Sequence, residues 1–415
     1  MSFFYTIGIY GYSFLLKIAA IFSKKAKLWV SGRRGWQQKL SEVQATGRQP
    51  VVWFHCASLG EFEQGRPVIE AFKTQNPHAK ILLTFFSPSG YEVRKNYAHA
   101  DWVWYLPADT PVNAQAFVEG VRPSLVFFVK YEFWNFYLKT LASQQIPIYL
   151  ISGIFRPNQV FFKWYGGFYR GILRCFSHLF VQNETSQVLL QSVGIQQVTV
   201  AGDTRFDRVK QIADAKRSID LVQQFKGNQP IFIVGSCWHQ DFEVVLPLMN
   251  ASETKQIKFI IAPHEIHPAE ITNWMQQIRR PCQRFSAFRV GDESAEVLII
   301  DNIGMLSSLY QYAEFAWIGG AYGKGLHNVL EAATFGMPLF FGNKSYQRFQ
   351  EANDLLKTGS AFAISNASEL MATFKTLQEN ELLRKQLGER SAAYVREKTG
   401  ATQLILAAIQ STKKT

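Results

Sequence analysis

Eleven short apolar runs, separated by helix-length intervals, constrain this chain more than any other feature of it. In the first half they are Val51–Phe54, Ile81–Phe86, Leu125–Val129, Ile148–Ile151, His178–Val181 and Val198–Val200. In the second they are Ile231–Val234, Phe259–Ala262, Val297–Ile300, Phe315–Ile318 and Leu339–Phe341. A strand with one wet face alternates apolar and polar residues. A continuously apolar run reads instead as a strand covered on both faces, as in parallel sheets packed between helices. The polar stretch Asp207–Pro230 divides the two series and reads as a linker with a helix in it. Single cores rarely grow beyond ~250–300 residues, so a chain of 415 residues reads as two or three domains, of which composition and periodicity indicate two α/β domains. We place them at 23–206 and 231–386, around a linker at 207–230. With 47% hydrophobic and 18% charged residues the chain is not disordered.

The formal charge of +12 is concentrated at the front: residues 1–50 hold eight Lys or Arg and one acid, Glu42. These cations (Lys17, Lys24, Lys25, Lys27, Arg33, Arg34, Lys39 and Arg48) directly follow or interrupt an apolar stretch from Ser2 to Phe22. A segment of that length suffices to cross a ~30 Å hydrocarbon core or to lie in one leaflet. No positive charge precedes it, which argues against a signal peptide. Residues 1–22 therefore read as a membrane anchor or an interfacial helix, with the basic flank on the cytoplasmic side against anionic headgroups. Four scattered cysteines (Cys56, Cys175, Cys237, Cys282) form no C-x-x-C pair and suit a reducing compartment.

Two strand-to-helix junctions carry the chemistry. After Val51–Phe54 comes the polar loop His55 to Gly60, with a helix expected near Glu61. That junction faces the ligand crevice of an open α/β sheet, where a carboxylate can act as a general base. Glu61 and Glu63 could equally do no more than complement a helix dipole. After Phe315–Ile318 comes Gly319-Gly320-Ala321-Tyr322-Gly323-Lys324-Gly325-Leu326-His327-Asn328-Val329-Leu330-Glu331. We read this as a strand, a Gly-rich loop able to approach an anion, and a helix start. Lys324 and His327 would be cationic donors, and Glu331, four residues after His327, would lie on the same helical face. Neither G-x-G-x-x-G nor the Walker pattern occurs there.

This pair of motifs resembles the 3-deoxy-D-manno-octulosonic acid (Kdo) transferases, which build the inner core of lipopolysaccharide on lipid A. The matching residues are His55-Cys56-Ala57-Ser58-Leu59-Gly60-Glu61 and His327-Asn328-Val329-Leu330-Glu331. Between them, in family order, come Phe85-Phe86-Ser87-Pro88-Ser89-Gly90, Tyr131-Glu132-Phe133-Trp134, Gly202-Asp203-Thr204-Arg205-Phe206-Asp207 and Gly235-Ser236-Cys237-Trp238. Ala262-Pro263-His264, Asp301-Asn302-Ile303-Gly304-Met305-Leu306 and, beyond the pair, Phe341-Gly342-Asn343 complete the series. The resemblance implies the glycosyltransferase B architecture: two doubly wound, Rossmann-like domains facing across a cleft. A C-terminal helix, residues 387–415, would pack back on the first domain.

The resemblance further implies an inverting transfer of Kdo from CMP-Kdo to a hydroxyl of the lipid A precursor, on the cytoplasmic side of the inner membrane. Glu61 matches the base and Arg205 a transition-state stabiliser. Glu132 matches a second acid, while Lys130 departs from the family by replacing an acid with a base. Ser58, Gly60 and Ser89 fall in substrate-side motifs, and Arg156 is a candidate for an acceptor phosphate. Pro263, His264, Gly304, Met305, Leu306, Asn328, Val329, Leu330 and Glu331 match CMP contacts, with Ser236 and Lys324 as further donors. No D-x-D occurs, and His264-Glu265-Ile266-His267 is not H-E-x-x-H and is flanked by prolines. We therefore expect no metal, no cofactor besides the donor substrate and no nucleic-acid partner. Two other readings stay open: another nucleotide-sugar transferase or epimerase of the same fold, and a non-catalytic membrane-surface scaffold. Retention of both Glu61 and Glu331 argues against the scaffold.

Overall fold

The computed structural model describes residues 2–45, 47, 49–289, 291–292 and 294–412, excepting the side chain of Thr412. Arg48 of the basic segment lies outside them. Each of the eleven apolar runs is a strand, and three further strands join them. The first sheet contains β1 (Val51–Cys56), β2 (Lys80–Phe85), β3 (Trp102–Tyr105), β4 (Leu125–Val129), β5 (Ile148–Gly153), β6 (His178–Val181) and β7 (Val198–Val200). The second contains β8 (Ile231–Cys237), β9 (Lys258–Pro263), β10 (Cys282–Arg284), β11 (Val297–Ile299), β12 (Phe315–Ile318), β13 (Leu339–Gly342) and β14 (Ala361–Ile364).

All pairings are parallel, in the orders β3-β2-β1-β4-β5-β6-β7 and β10-β11-β9-β8-β12-β13-β14. Each order reverses beside its first strand, between β1 and β4 and between β8 and β12. The three strands that the sequence did not announce, β3, β10 and β14, are all sheet edges. An edge strand is covered on fewer sides, so it needs no long apolar run.

Burial on both faces is visible residue by residue. Along β1, Val51 and Trp53 enter one core cluster while Val52, Phe54 and Cys56 enter the other. The same alternation divides β4, with Val126 and Phe128 on one side and Leu125, Phe127 and Val129 on the other. In the second sheet Phe232, Val234, Phe259, Ile261, Phe315 and Trp317 form one packed face.

The chain divides into two compact units, Met1–Arg208 with Thr399–Thr415, and Val209–Lys398. The stretch we read as linker plus helix holds two helices, Thr204–Asp214 and Asp220–Lys226. At the other end, helix Ala401–Thr412 places Ile405, Leu406 and Ile409 in the core cluster that holds Val68 and Ile69. Asp207 fixes its start: the buried carboxylate accepts from Gly400 N (2.6 Å), Thr402 N (2.7 Å) and Thr402 Oγ1 (2.6 Å).

At the front, α1 (Ser2–Ala19), α2 (Lys24–Ser31) and α3 (Trp36–Gln44) precede β1. No residue of α1 is buried. One side of it is held to the first unit through Tyr5, whose hydroxyl donates to Asp109 Oδ2 at 2.6 Å. Asp109 also accepts from Phe136 N (3.1 Å) and Tyr137 N (3.0 Å). Partial burial, with Asp109 beside it, pushes the Tyr5 phenol well above its ordinary pKa. Among the described residues no helix is long and apolar enough to cross a membrane.

Because Asp207 accepts from two backbone N–H groups at the return of the chain, its removal should be costly. Asp207→Ala is expected to destabilise by about 2–4 kcal/mol, the cost of orphaning charged hydrogen bonds in a buried setting. Urea unfolding followed by far-UV circular dichroism measures it.

Candidate active site

In the first unit the predicted residues gather at the carboxyl ends of the strands. The strand β1 continues through His55 and Cys56, so the polar loop is only Ala57 and Ser58, and α4 (Leu59–Gln75) begins two residues earlier than expected. Gly60 thus sits in the first helical turn, and Glu61 is its third residue. Ser58, extended at the N-cap, donates its hydroxyl to Glu61 Oε2. Glu61 is half-buried, at the strand-order reversal where open α/β sheets bind ligands.

Behind it lies a buried polar line. Trp53 Nε1 donates to Thr84 Oγ1 (2.7 Å), which meets His55 Nδ1 (2.8 Å). On the other side His55 Nε2 meets Glu132 Oε2 (2.9 Å), which also accepts from Trp134 Nε1 (2.6 Å). Glu132 is 7% exposed, so this carboxylate fixes the β4 loop rather than facing solvent. Lys130, which begins that loop, has φ of 69°, rare for a residue with a side chain. Its ammonium lies over the Tyr131 ring at 5.2 Å, and Arg156 Nη1 donates to the Tyr131 hydroxyl at 3.3 Å. Arg156 itself is exposed, and Ser89 is exposed in the first turn of helix Pro88–Arg94, whose N-cap is Ser87.

Arg205 is tied to the helix that carries Glu61. Its Nε donates to Asp203 Oδ2 at 2.9 Å and its Nη2 approaches the same oxygen at 2.7 Å. Asp203 Oδ1 accepts from Gln64 Nε2 at 3.2 Å, one turn after Glu61 on α4. Burial pushes the Asp203 carboxyl up, but the Arg205 charge and hydrogen bonds outweigh it and hold the group below its ordinary pKa. Thr204 Oγ1 adds a bond to Gln64 O and another to Ser152 Oγ. Asp203 and Gln64 were not among the sequence candidates. The only signal for Asp203 was its place beside Arg205 in the matching motif.

In the second unit a cleft of about 440 Å³ is lined by Ser236, Pro263, His264, Gly304 and Leu306 together with Asn302. The structure thus brings together five of the predicted donor-side residues. Met305 caps the short helix that follows, and Val329 and Leu330 are completely buried. Neither of those two offers a side chain to a ligand. Glu331 is half-buried in a helix of only four residues, and Asn328 Nδ2 donates to its Oε1 at 3.2 Å.

The Gly-rich loop differs from expectation in two ways. The helix starts only at Leu330, after Asn328 Oδ1 accepts from its N–H at 3.2 Å, so His327 is not on a helical face with Glu331. Many loop amides are also used inside the protein: Gly319 N on Gly235 O, Gly320 N on Asp241 Oδ2, and Gly323 and Gly325 N on Gly320 O. An anion cradle made of those amides is excluded. Asp241, missed in the sequence, is the organiser. It is fully buried, takes Trp238 N at 3.0 Å and Gly320 N at 2.9 Å on Oδ2, and takes Trp317 Nε1 at 3.2 Å on Oδ1. A side chain at Gly319 would collide with Ser236 O, 2.1 Å from the added carbon.

His327 is a neutral group rather than a cation. Burial, reinforced by His264, pushes its pKa down from 6.5 to about 4. Its Nε2 accepts from Trp238 Nε1 at 3.1 Å, which leaves the proton on Nδ1. The His264 ring stacks on both Trp238 and His327, each at 4.3 Å between centroids. Lys324 remains an exposed cation, 5.0 Å above the Trp238 ring.

Two parallel sheets with reversals beside their first strands give a fold that is shared with solved structures of other proteins. UDP-GlcNAc 2-epimerase from Neisseria meningitidis, solved with UDP-GlcNAc, matches with a TM-score of 0.61 at 14% identity, over 88% of this chain and all of its own. MurG from Acinetobacter baumannii matches with a TM-score of 0.52 at 13% identity, over 88% and 99%. Sequence narrows the class. Residues 34–208 match the family model described as 3-deoxy-D-manno-octulosonic-acid transferase (kdotransferase). The transferases of that name from Rickettsia typhi (24% identical, 84% of this chain, 76% of theirs), Haemophilus influenzae (23%, 86% and 85%) and Aquifex aeolicus (25%, 79% and 86%) align over most of the chain. The chain thus carries the Kdo transferase family model over residues 34–208 and is similar over most of its length to glycosyltransferases of that name.

The neutral state of His327 gives a pH dependence with a definite sign. Its folded pKa is depressed, so its contribution to stability is complete above 6.5 and declines as pH falls toward about 4. His327→Gln, which cannot titrate, should show a shallower loss over that range than the natural protein. Urea midpoints measured across the same pH interval make the comparison.

Proposed function

We propose that this protein moves Kdo from CMP-Kdo to a hydroxyl of the lipid A precursor, inverting the anomeric centre and using no metal. One observation carries the reading: Glu61 stands half-buried at the reversal of the first sheet, on the same helix whose next turn holds Arg205 through Gln64 and Asp203. In the transfer, the acceptor O–H would give its proton to Glu61 as its oxygen bonds to the anomeric carbon. The bond from that carbon to the phosphate oxygen breaks, and CMP leaves with the electron pair. Arg205 would supply positive charge to the transition state, while Asp203 holds its guanidinium in one orientation. The donor-side cleft, with Ser236, His264 and Gly304 in its wall, would take the cytidylate, and Glu331 its ribose hydroxyls. Arg156 would meet an acceptor phosphate.

We infer that the enzyme works on the cytoplasmic face of the inner membrane. Supporting a membrane surface, α1 leaves Phe3, Phe4, Ile7, Tyr10, Phe14, Leu15 and Ile18 exposed on one helix, and exposed apolar patches mark interaction sites. An amphipathic helix of this kind lies in the headgroup boundary rather than across it.

Glu61→Gln removes the base and keeps the shape. Turnover should fall by about 10²–10⁴, with CMP-Kdo binding little changed. Near-full turnover in that variant would remove Glu61 from the mechanism.

A further inference from the structure

Beside α1 the first unit has a second cleft, of about 720 Å³, that the transfer does not use. Its wall includes Lys17, Arg33 and Arg34, and no acidic residue lines it. Arg33 is the half-buried one of the three. Its Nε, Nη1 and Nη2 donate to the carbonyls of Leu106 (2.7 Å), Trp29 (3.1 Å) and Phe86 (2.7 Å). Its guanidinium lies 3.9 Å from the centre of the Trp29 ring. Burial pushes it down to about 9, so it is charged at neutral pH, yet no carboxylate pairs with it among the described residues. Two further donors in the wall, Ser13 Oγ and Trp29 Nε1, are buried without a hydrogen-bond partner among the described residues. A buried donor left unpaired costs about 1–3 kcal/mol. A cleft with three cations, two orphan donors and no acid is built for an anion.

We propose that this cleft binds the phosphate headgroup of an anionic membrane phospholipid. The apolar side of α1 is what selects a lipid over a free phosphate. Tyr10 belongs both to that exposed side and to the cleft wall, and Lys17 lies between the exposed Phe14 and Ile18. A lipid seated there keeps its acyl chains beside the helix while its phosphate reaches the guanidinium groups, bidentately where Arg34 allows it. The inference rests on the membrane-surface reading above and adds a headgroup-specific site to it.

The test is co-sedimentation of the full chain with three sets of phosphatidylcholine vesicles: plain, doped with phosphatidylglycerol, and doped with oleate to the same surface charge. The natural protein should prefer phosphatidylglycerol to charge-matched oleate by roughly tenfold or more, the worth of about one charge-assisted hydrogen bond that oleate does not make in the cleft. Lys17→Gln with Arg34→Gln should abolish that preference without lowering the thermal midpoint. Lys24→Gln with Lys25→Gln, which removes the same charge outside the cleft, should keep it. An equal fall in both double variants would overturn the proposal, since general electrostatics would then suffice. So would equal binding to oleate and phosphatidylglycerol, or saturation of the site by soluble glycerol phosphate at the same concentrations. Loss of acceptor affinity in detergent, with vesicle preference intact, would reassign the cleft to the acceptor and also overturn it. Binding of the natural protein to plain vesicles separates the two readings: if it binds none of the three sets, the surface reading itself fails.

Discussion

A parallel sheet covered on both faces has nowhere to put polar chemistry except at the ends of its strands, and both units of this protein obey that constraint. In β1 and β4 successive side chains enter opposite cores, so neither face can hold a ligand. What remains is the row of loops at the carboxyl ends, deepest where strand order reverses. Glu61, Glu132, Arg156 and Arg205 come from four different strand ends of one sheet. Ser236, His264 and Gly304 come from three of the other.

The two units place a carboxylate at the same position and use it for opposite purposes. Glu61 is the third residue of the helix after β1, and Asp241 is the third residue of the helix after β8. Asp241 is wholly buried and holds Trp238, Gly320 and Trp317, so burial raises its pKa while the bonds it accepts give it a structural task. Glu61 is half-buried, and a serine hydroxyl is the single partner it has among the described residues. A carboxylate with one oxygen uncommitted can accept a proton, whereas one with both oxygens occupied shapes a loop. Glu132 differs from Glu61 by burial instead: it lies in the interior, with His55 and Trp134 both on its Oε2.

The central strands were legible because each holds a nearly continuous apolar run, and the sheet class followed from that alone. Edge strand β10 was not, since Cys282-Gln283-Arg284 carries no apolar run at all and is held by pairing with β11, while the short apolar runs of β3 and β14 were passed over. At the site, the identity of Glu61 and the donor-side cluster could be read from motifs, but partnerships could not. Nothing in the spacing of His327 and Glu331 shows that Asn328 delays the helix until Leu330, or that Trp238 takes the His327 lone pair. Those contacts join residues 2 and 89 positions apart, and only the longer one is set by the fold. Val329 and Leu330 illustrate the converse, since a matching motif can contain residues whose whole contribution is to the core.

The account stands or falls on what the protein makes. Incubated with CMP-Kdo and a lipid A precursor, the purified protein should yield a glycolipid heavier by a whole number of Kdo residues, with CMP released in equal number, and mass spectrometry reads both. An unchanged acceptor, with CMP released only by hydrolysis or not at all, would contradict it.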